Sequence, residues 1–432
     1  MVNRRFLIRY AMAGLQLAAV CLTTLTNVGN AGDDKFERGR MEDIMDVVAK
    51  DIQKHFYDPN LKGADWKAIT EKARQRIRQA EHLGDMLAAI ASVPYQLYDS
   101  HTYFIPPGRS ARVDYGFEAE PFTRDILVYK LKKDGPAVKA GLQMGDRIVA
   151  INGFAAKREN FFEMTRYFEF LNPAAEMQLE IVRGNELATR TVKIPAKIEQ
   201  RGKGYLMDYN AIRREIDAQD PIHTHRDYEG NVGYIKLRVF MLHPGDVDSM
   251  VSKVKNSSAV IIDLRKNGGG AIETLKALSG SFTEQRYELA KEVGRDKSEP
   301  LNVRPSHTRI GAPLFIMVDS SSASASEMFA RDMQIRKRAV VVGDNSSGRV
   351  NEAQIFWEKV GAFDLVGFGT EIAVSRVVMS NGEELENRGV TPDVFCVPTA
   401  DDLRQDKDPC LDHALELARK AAGQPSMGGR QN

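Results

Sequence analysis

The chain has 432 residues, 43% of them hydrophobic and 28% charged, enough apolar material for two or three domains with cores of their own. A formal net charge of +1 gives no reason to expect nucleic acid or an anionic surface as the main partner. There is no low-complexity tract and no repeat of solenoid length to suggest a fibrous or stacked architecture.

Residues 1–31 read as a signal peptide. Arg4, Arg5 and Arg9 form a basic start, an uncharged apolar run extends from Tyr10 to Leu25, and Gly29-Asn30-Ala31 supplies a small-x-small cleavage site. The apolar run is short for a membrane span. Asn3 to Arg9 also approximates a twin-arginine signal, but without a cofactor motif downstream the general secretory route is favoured. Val20 before Cys21 argues against lipidation at that cysteine. The expected destination is the periplasm or the extracellular space. Of the three cysteines, Cys396 and Cys410 remain after cleavage. In an exported chain they are expected to pair, with two unrelated thiols as the alternative.

A helical region follows, assigned to residues 32–110. Apolar positions recur at helical spacing from Met41 to Ile52, from Trp66 to Ala80 and again over Leu87 to Ile90. Trp66, like Trp357 later in the chain, is read as a packing residue. From 111 to 199 the pattern changes. Asp125 to Leu131 alternates as a strand. Pro136 opens a one-turn helix that Gly141 closes, Arg147 to Ile151 is a strand, and Asn152-Gly153 makes a hairpin turn. The run Gly135 to Gly153 closely resembles the signature of a PDZ domain. Such domains hold a peptide C-terminus by adding a strand to a sheet edge, and the resemblance makes Tyr115, Gly116 and Phe117 the candidate carboxylate loop.

Residues 200–420 read as layered α/β, with 421–432 a flexible tail. Strands over Asn231 to Leu237, Ala259 to Arg265, Leu314 to Val318 and Ala339 to Gly343 alternate with helical segments. Two turns here carry chemistry. Asp263-Leu264-Arg265-Lys266-Asn267-Gly268-Gly269-Gly270 ends one strand, and its glycines allow close backbone approach and leave N–H groups for an oxyanion. No phosphate-loop pattern accompanies them. The apolar run Pro313 to Val318 meets Ser320-Ser321-Ser322-Ala323-Ser324-Ala325-Ser326-Glu327 just before a helix, where a hydroxyl is exposed and anions are stabilised. Ser324-x-x-Glu327 also fits a plain capping box. His223-Thr224-His225 has ligand chemistry, but Asp220-Pro221 and Arg226-Asp227 around it read as an exposed loop, so no metal and no other cofactor is expected.

The PDZ segment, Asp-Leu-Arg-x-Asn-Gly-Gly-Gly, Ser-Ala-Ser-Glu and Glu386-Asn387-Arg388-Gly389-Val390-Thr391-Pro392-Asp393 stand in the order of the carboxy-terminal processing protease family. That group includes the tricorn core proteases, and the resemblance covers roughly residues 95–400. It implies a crotonase-like layered peptidase core with an inserted PDZ domain. It makes Ser324 the nucleophile, and the N–H groups of Ala325 and of Gly268 or Gly269 the oxyanion hole. Many members use a Ser–Lys dyad, but Arg349 stands where that lysine is expected, and arginine does not serve as a base. In the tricorn-like branch a His in an Asp-x-His segment takes that role and a late Glu orients it. Asp99-Ser100-His101 and Glu386 match these, so His101 and Glu386 are the expected relay.

The expectation is an exported serine endopeptidase acting on proteins or peptides with apolar C-termini. Delivery by a membrane-anchored adaptor and the oligomeric state stay open. The alternative is a catalytically degenerate relative that keeps the fold as a binding or scaffold protein.

Overall fold

A computed structural model describes residues 31–108, 111–184, 186–200, 221–361 and 365–423. Residues 1–30 of the expected signal peptide therefore lie outside the described residues, as does the tail beyond 423, while Ala31 begins the helix Ala31–His55. No described helix is long and apolar enough to cross a membrane.

The α/β pattern forms a six-stranded sheet. Its order is His223–Tyr228, Val232–Leu237, Ala259–Asp263, Leu314–Val318, Ala339–Gly343 and Val394–Phe395. The first pair is antiparallel and the others are parallel. Every residue of the strands Ala259–Asp263 and Leu314–Val318 is buried, as a parallel strand covered on both faces requires. Side chains alternate between two cores. Val260, Ile262 and Ile316 pack with Leu275, Leu278 and Phe329 of the helices Ile272–Gly280 and Ala325–Ile335. Ala259, Ile261, Phe315 and Met317 pack with Ala414 and Ala418 of the helix Pro409–Ala421 on the other face. Each large apolar side chain so buried contributes about 1.5–3 kcal/mol. Cys396 and Cys410 are joined by a disulfide, Cα atoms 5.3 Å apart, which ties the start of that helix to the end of the sheet. The segment around His223 and His225 is an edge strand rather than the expected loop, because it pairs along its whole length with Val232–Leu237.

Residues 117–195 form a separate sheet in the order Phe117–Phe122, Asp125–Leu131, Arg147–Ile151, Glu176–Val182 and Arg190–Pro195, around the apolar residues Ile126, Val128, Ile148, Leu179 and Ile194. The hairpin turn falls at Asn152 and Gly153, both at positive φ, with Ile151 paired to Phe154. The helix Arg158–Arg166 flanks this sheet.

The helices Ala31–His55 (from Met41 on), Trp66–Gln79 and Leu83–Ala91 share a core with Phe104, Phe368 and Ile372 of a second sheet, in which Val366–Met379 pairs with Tyr103–Ile105, Tyr287–Val293 and Glu352–Val360. Trp66 packs here and donates to the Ala49 carbonyl at 3.3 Å. Trp357 differs, since it lies on the edge strand and stays 47% exposed. The architecture is mixed α/β.

Candidate active site

Ser324 sits between the buried strand Leu314–Val318 and the helix Ala325–Ile335. Its backbone takes φ 55° and ψ −119°, a conformation a non-glycine residue holds only where its surroundings enforce it. The enforcing contacts are identifiable. Its N–H is shared between the Arg349 carbonyl at 2.7 Å and the Glu327 carboxylate at 3.0 Å. Ser324 and Glu327 are arranged as a capping box, but the hydroxyl makes no cap hydrogen bond, and the Glu327 N–H bonds the Ser324 carbonyl at 2.9 Å instead. The hydroxyl thus stands in the capping position, facing the Glu327 N–H, without a cap hydrogen bond.

Glu327 is fully buried and does more than cap. It accepts from the Ser346 hydroxyl at 2.5 Å, the Gly348 N–H at 2.7 Å and the Arg349 N–H at 2.9 Å, fastening the Ser324 turn to the segment where a lysine was expected. Burial pushes its carboxyl up to about 7, against these four hydrogen bonds, each of which favours the carboxylate.

The glycine run lies against the same turn. A Cβ on Gly269 would come within 2.6 Å of the Ser324 Cβ, and Gly269 has φ +97°, so only glycine fits there. Asn267 clamps the two loops together. Its side chain accepts the Gly269 N–H at 2.9 Å and donates to the Leu237 carbonyl at 2.8 Å, while its carbonyl takes the Ala323 N–H at 3.0 Å and the Ser326 hydroxyl at 2.9 Å. The Gly269 N–H is thus occupied, whereas those of Gly268 and Ala325 have no acceptor among the described residues. The Asp263 and Arg265 of the same motif are structural. Asp263 is buried and held by Arg265 at 2.8 Å and the Tyr234 hydroxyl at 2.7 Å, which keeps its carboxyl well below the usual range despite burial. Arg265 continues to Asp408 at 2.7 Å, the cap of the helix Pro409–Ala421.

His101 arrives from the loop between the turn Pro94–Leu97 and the strand Tyr103–Ile105. Buried Asp99 shapes this loop, accepting from the His101 N–H at 3.1 Å, the Thr102 hydroxyl at 2.9 Å and the Asn351 side chain at 2.8 Å. The Nδ1 of His101 lies 3.1 Å from the Ser100 hydroxyl, and Nε2 has no partner among the described residues. Glu386 accepts the Ser100 N–H at 2.9 Å and the Val350 N–H at 3.0 Å. Glu386 therefore contacts the loop that carries His101 and not the ring, and the group on the ring is Ser100. Burial pushes the imidazole down to about 4, the Glu386 charge opposing and the Arg349 charge adding to the effect.

Ser324 and the His101 loop are linked through Arg349, whose carbonyl accepts the Ser324 N–H and whose guanidinium donates to the Ser100 carbonyl at 2.8 Å. No hydrogen bond joins the hydroxyl to the ring. Ser100, Asn267 and Glu327 were not singled out from sequence as site residues. All three lie inside the quoted motifs, but their partners are hundreds of residues away or across a turn.

The helix Arg158–Arg166 docks on this region along one stripe at spacings of four. Arg158 pairs with Asp344 at 2.7 Å, Phe162 stacks on Arg349 at 3.6 Å, and Arg166 stacks on Tyr103 at 3.9 Å. On the strand Phe117–Phe122, buried Glu120 accepts from the hydroxyls of Ser320 at 3.0 Å and Ser321 at 2.8 Å, only a few residues before Ser324. The loop Tyr115–Phe117 lies at the other end of the same strand. Tyr115 is buried with its hydroxyl on the Ala174 carbonyl at 2.7 Å, and the Gly116 N–H is already taken by Asp114 at 2.8 Å.

Residues 231–395 match the model of peptidase family S41, residues 113–194 that of the PDZ domain, and residues 40–88 that of the tricorn protease C1 domain. The chain is 23% identical over 392 residues to carboxyl-terminal-processing peptidase 1, chloroplastic, of Arabidopsis thaliana, covering 85% of this chain and 73% of that protein. It is 25% identical over 315 residues to the tail-specific protease of Haemophilus influenzae, covering 67% of this chain and 43% of that protein. Among solved structures, mature CPAF complexed with lactacystin superposes with a TM-score of 0.67 at 14% identity, over 90% of this chain and 99% of that one. The photosystem II D1 C-terminal processing protease superposes at 0.51 and 18% identity, over 88% and 98%. These two likenesses concern the fold.

Proposed function

The chain belongs to peptidase family S41, a family of serine-type peptidases, and carries a PDZ domain, and from that premise we propose an exported endopeptidase that captures protein C-termini and cleaves through Ser324. The observation that carries this reading is the turn itself. Ser324 is held, half-buried, in a strained turn at a helix start, beside two N–H groups that have no acceptor among the described residues.

His101 is the base. With Nδ1 turned to the Ser100 hydroxyl, Nε2 is free to take the Ser324 proton as the oxygen attacks the peptide carbonyl. The oxyanion that forms lies against the N–H groups of Gly268 and Ala325. The proton then passes from Nε2 to the leaving amine, and water repeats the cycle to release the acyl group. Glu386 acts one step removed, holding the Ser100 backbone and adding negative charge that favours the imidazolium. The ring must close on the hydroxyl when substrate binds, since such contacts tighten in the loaded enzyme. A crotonase-like core over 200–420, a PDZ domain over 111–199, capture of apolar termini at Tyr115–Phe117 and a periplasmic or extracellular setting complete the reading. For Gly116 to hold a terminal carboxylate, Asp114 must give up its N–H.

Labelling of the mature protein with a fluorophosphonate tests it. Wild type is expected to label, Ser324→Ala not at all, and His101→Ala at least 100-fold more slowly, with folding of each confirmed by thermal melt. Folded wild type that stays unlabelled from pH 5 to 9 would leave the scaffold reading in its place.

A further inference from the structure

Two arginines near Ser324 and His101 form no ion pair with a carboxylate among the described residues. Arg349 lies flat on the Phe162 ring at 3.6 Å and spends one N–H on the Ser100 carbonyl. Arg166 lies over Tyr103 at 3.9 Å, approaches the same Phe162 ring at 5.8 Å, and donates to the Phe104 carbonyl at 2.9 Å. Its Nε is sealed from solvent with no acceptor. Among the described residues neither guanidinium forms an ion pair. Of the acids acting on Arg349, Glu163 weighs more than Glu371, and both act through charge alone. Glu371 is held by the Tyr103 hydroxyl, and Arg166 also meets the Tyr95 hydroxyl.

A guanidinium presents five donors in a planar fork matched to a carboxylate, and taking its charge out of water without a counter-charge is costly. Two such groups arranged around one ring, with donors left over, describe a site whose anion is brought from outside. The ring between them is 43% exposed and both arginines are only partly buried, so a bound chain has access. Arg349 is also the residue whose carbonyl holds Ser324 and whose side chain holds the His101 loop, which places the site next to the bond under attack.

We propose that Arg166 and Arg349 form a carboxylate-binding site that selects substrates carrying an acidic group close to the scissile bond. This rests on the reading of Ser324 and His101 given above, and it is separate from the loop Tyr115–Phe117. Binding would also offset the Arg349 charge that disfavours the imidazolium, so arrival of the acidic group would make His101 a stronger base.

The test uses full-length Ser324→Ala protein and fluorescein-labelled dodecapeptides with amidated C-termini, so that no terminal carboxylate is present. A single Glu, or Gln in its place, is scanned along the peptide and affinity is read by anisotropy. The expected result is one position, or two adjacent ones, where Glu binds at least 10-fold tighter than Gln. That ratio should fall below about threefold when Arg166→Gln or Arg349→Gln is added, each checked for folding by thermal melt; Arg166→Gln alone suffices if the other does not fold. Equal affinity of Glu and Gln peptides at every position, or a preference that survives both substitutions, overturns the proposal. Because binding is read without the Ser324 hydroxyl, its failure leaves the catalytic reading standing, and unlabelled wild type leaves this one to be judged on affinity.

Discussion

Glu327 shows how much one side chain can hold at this site. Its two oxygens collect the Ser324, Gly348 and Arg349 N–H groups and the Ser346 hydroxyl. Glutamine at this position keeps the size but turns two donor hydrogens toward groups that are themselves donors. Glu327→Gln should cost about 1–3 kcal/mol in urea melts, the cost of orphaning a buried donor, and slow fluorophosphonate labelling by at least 10-fold. Unchanged labelling would reduce Glu327 to a helix cap. His101 yields a second prediction. An imidazole held down near 4 is neutral across the physiological range, so the acid limb of kcat/KM should fall at about pH 4 rather than at the usual imidazole value near 6.5. A limb at pH 8 or above would point to a different base. The serine and glycine turns were legible in sequence because strand, turn and helix are adjacent there. The pairing of Ser100 with the ring was not, since it depends on how Asp99 folds its own loop.

At the scale of elements, the helix Arg158–Arg166 is the one whose role sequence periodicity missed. Its inner residues Phe161 and Met164 pack in the sheet core, as an amphipathic pattern requires, but its outer stripe also makes contacts, through Arg158, Phe162 and Arg166, while Phe162 stays partly open to solvent. Arg158 reaches Asp344, which is buried at 2% exposure and would be left with a charge and no cation in Arg158→Ala. That substitution should destabilise the docking by up to about 3 kcal/mol and raise amide exchange over residues 158–166 first. Exchange confined to residues outside this helix would argue against the docking role. The C-terminal helix is fastened differently, by the Cys396–Cys410 disulfide and the Arg265–Asp408 pair. Replacing both cysteines with alanine should lower stability by about 3 kcal/mol, the chain-entropy contribution of a loop this short. A loss under about 1 kcal/mol would mean that packing of Ala414 and Ala418 holds the helix on its own.

Across the whole molecule, buried carboxyls set the dependence of stability on pH. Burial raises Glu120, Glu327 and Glu292 to about 7 and Asp332 to about 6. Each binds its proton more tightly folded than unfolded, so the stability it contributes is full below about pH 4 and is lost as pH rises toward 7. His101 runs the other way: its folded value lies below its unfolded one, so its share is present above about pH 6.5 and is lost as pH falls toward 4. Burial also raises Asp51, Asp99, Glu169 and Glu371 and lowers His55 and His223, so among the described residues the raised carboxyls outnumber the lowered imidazoles, and Tm should peak on the acid side of neutrality and decline from about pH 5 to 8. Calorimetry showing a flat or rising Tm over that interval would contradict the assignment of these burials.

Periodicity, turn chemistry and motif order were sufficient for the α/β layering, the PDZ hairpins, the helical start and the positions of Ser324 and the glycine run. Each of these is a local matter, written in spacings of two or four residues and in the backbone freedom of glycine. The contacts that turn those pieces into a site lie elsewhere. Which glycine N–H stays open, which group faces the His101 ring and which arginines lack a counter-charge are all questions of burial and of pairing between residues far apart in the chain. The cost of leaving a buried polar group unmatched is paid only once the folded layers meet, and no spacing along a single strand or helix encodes it.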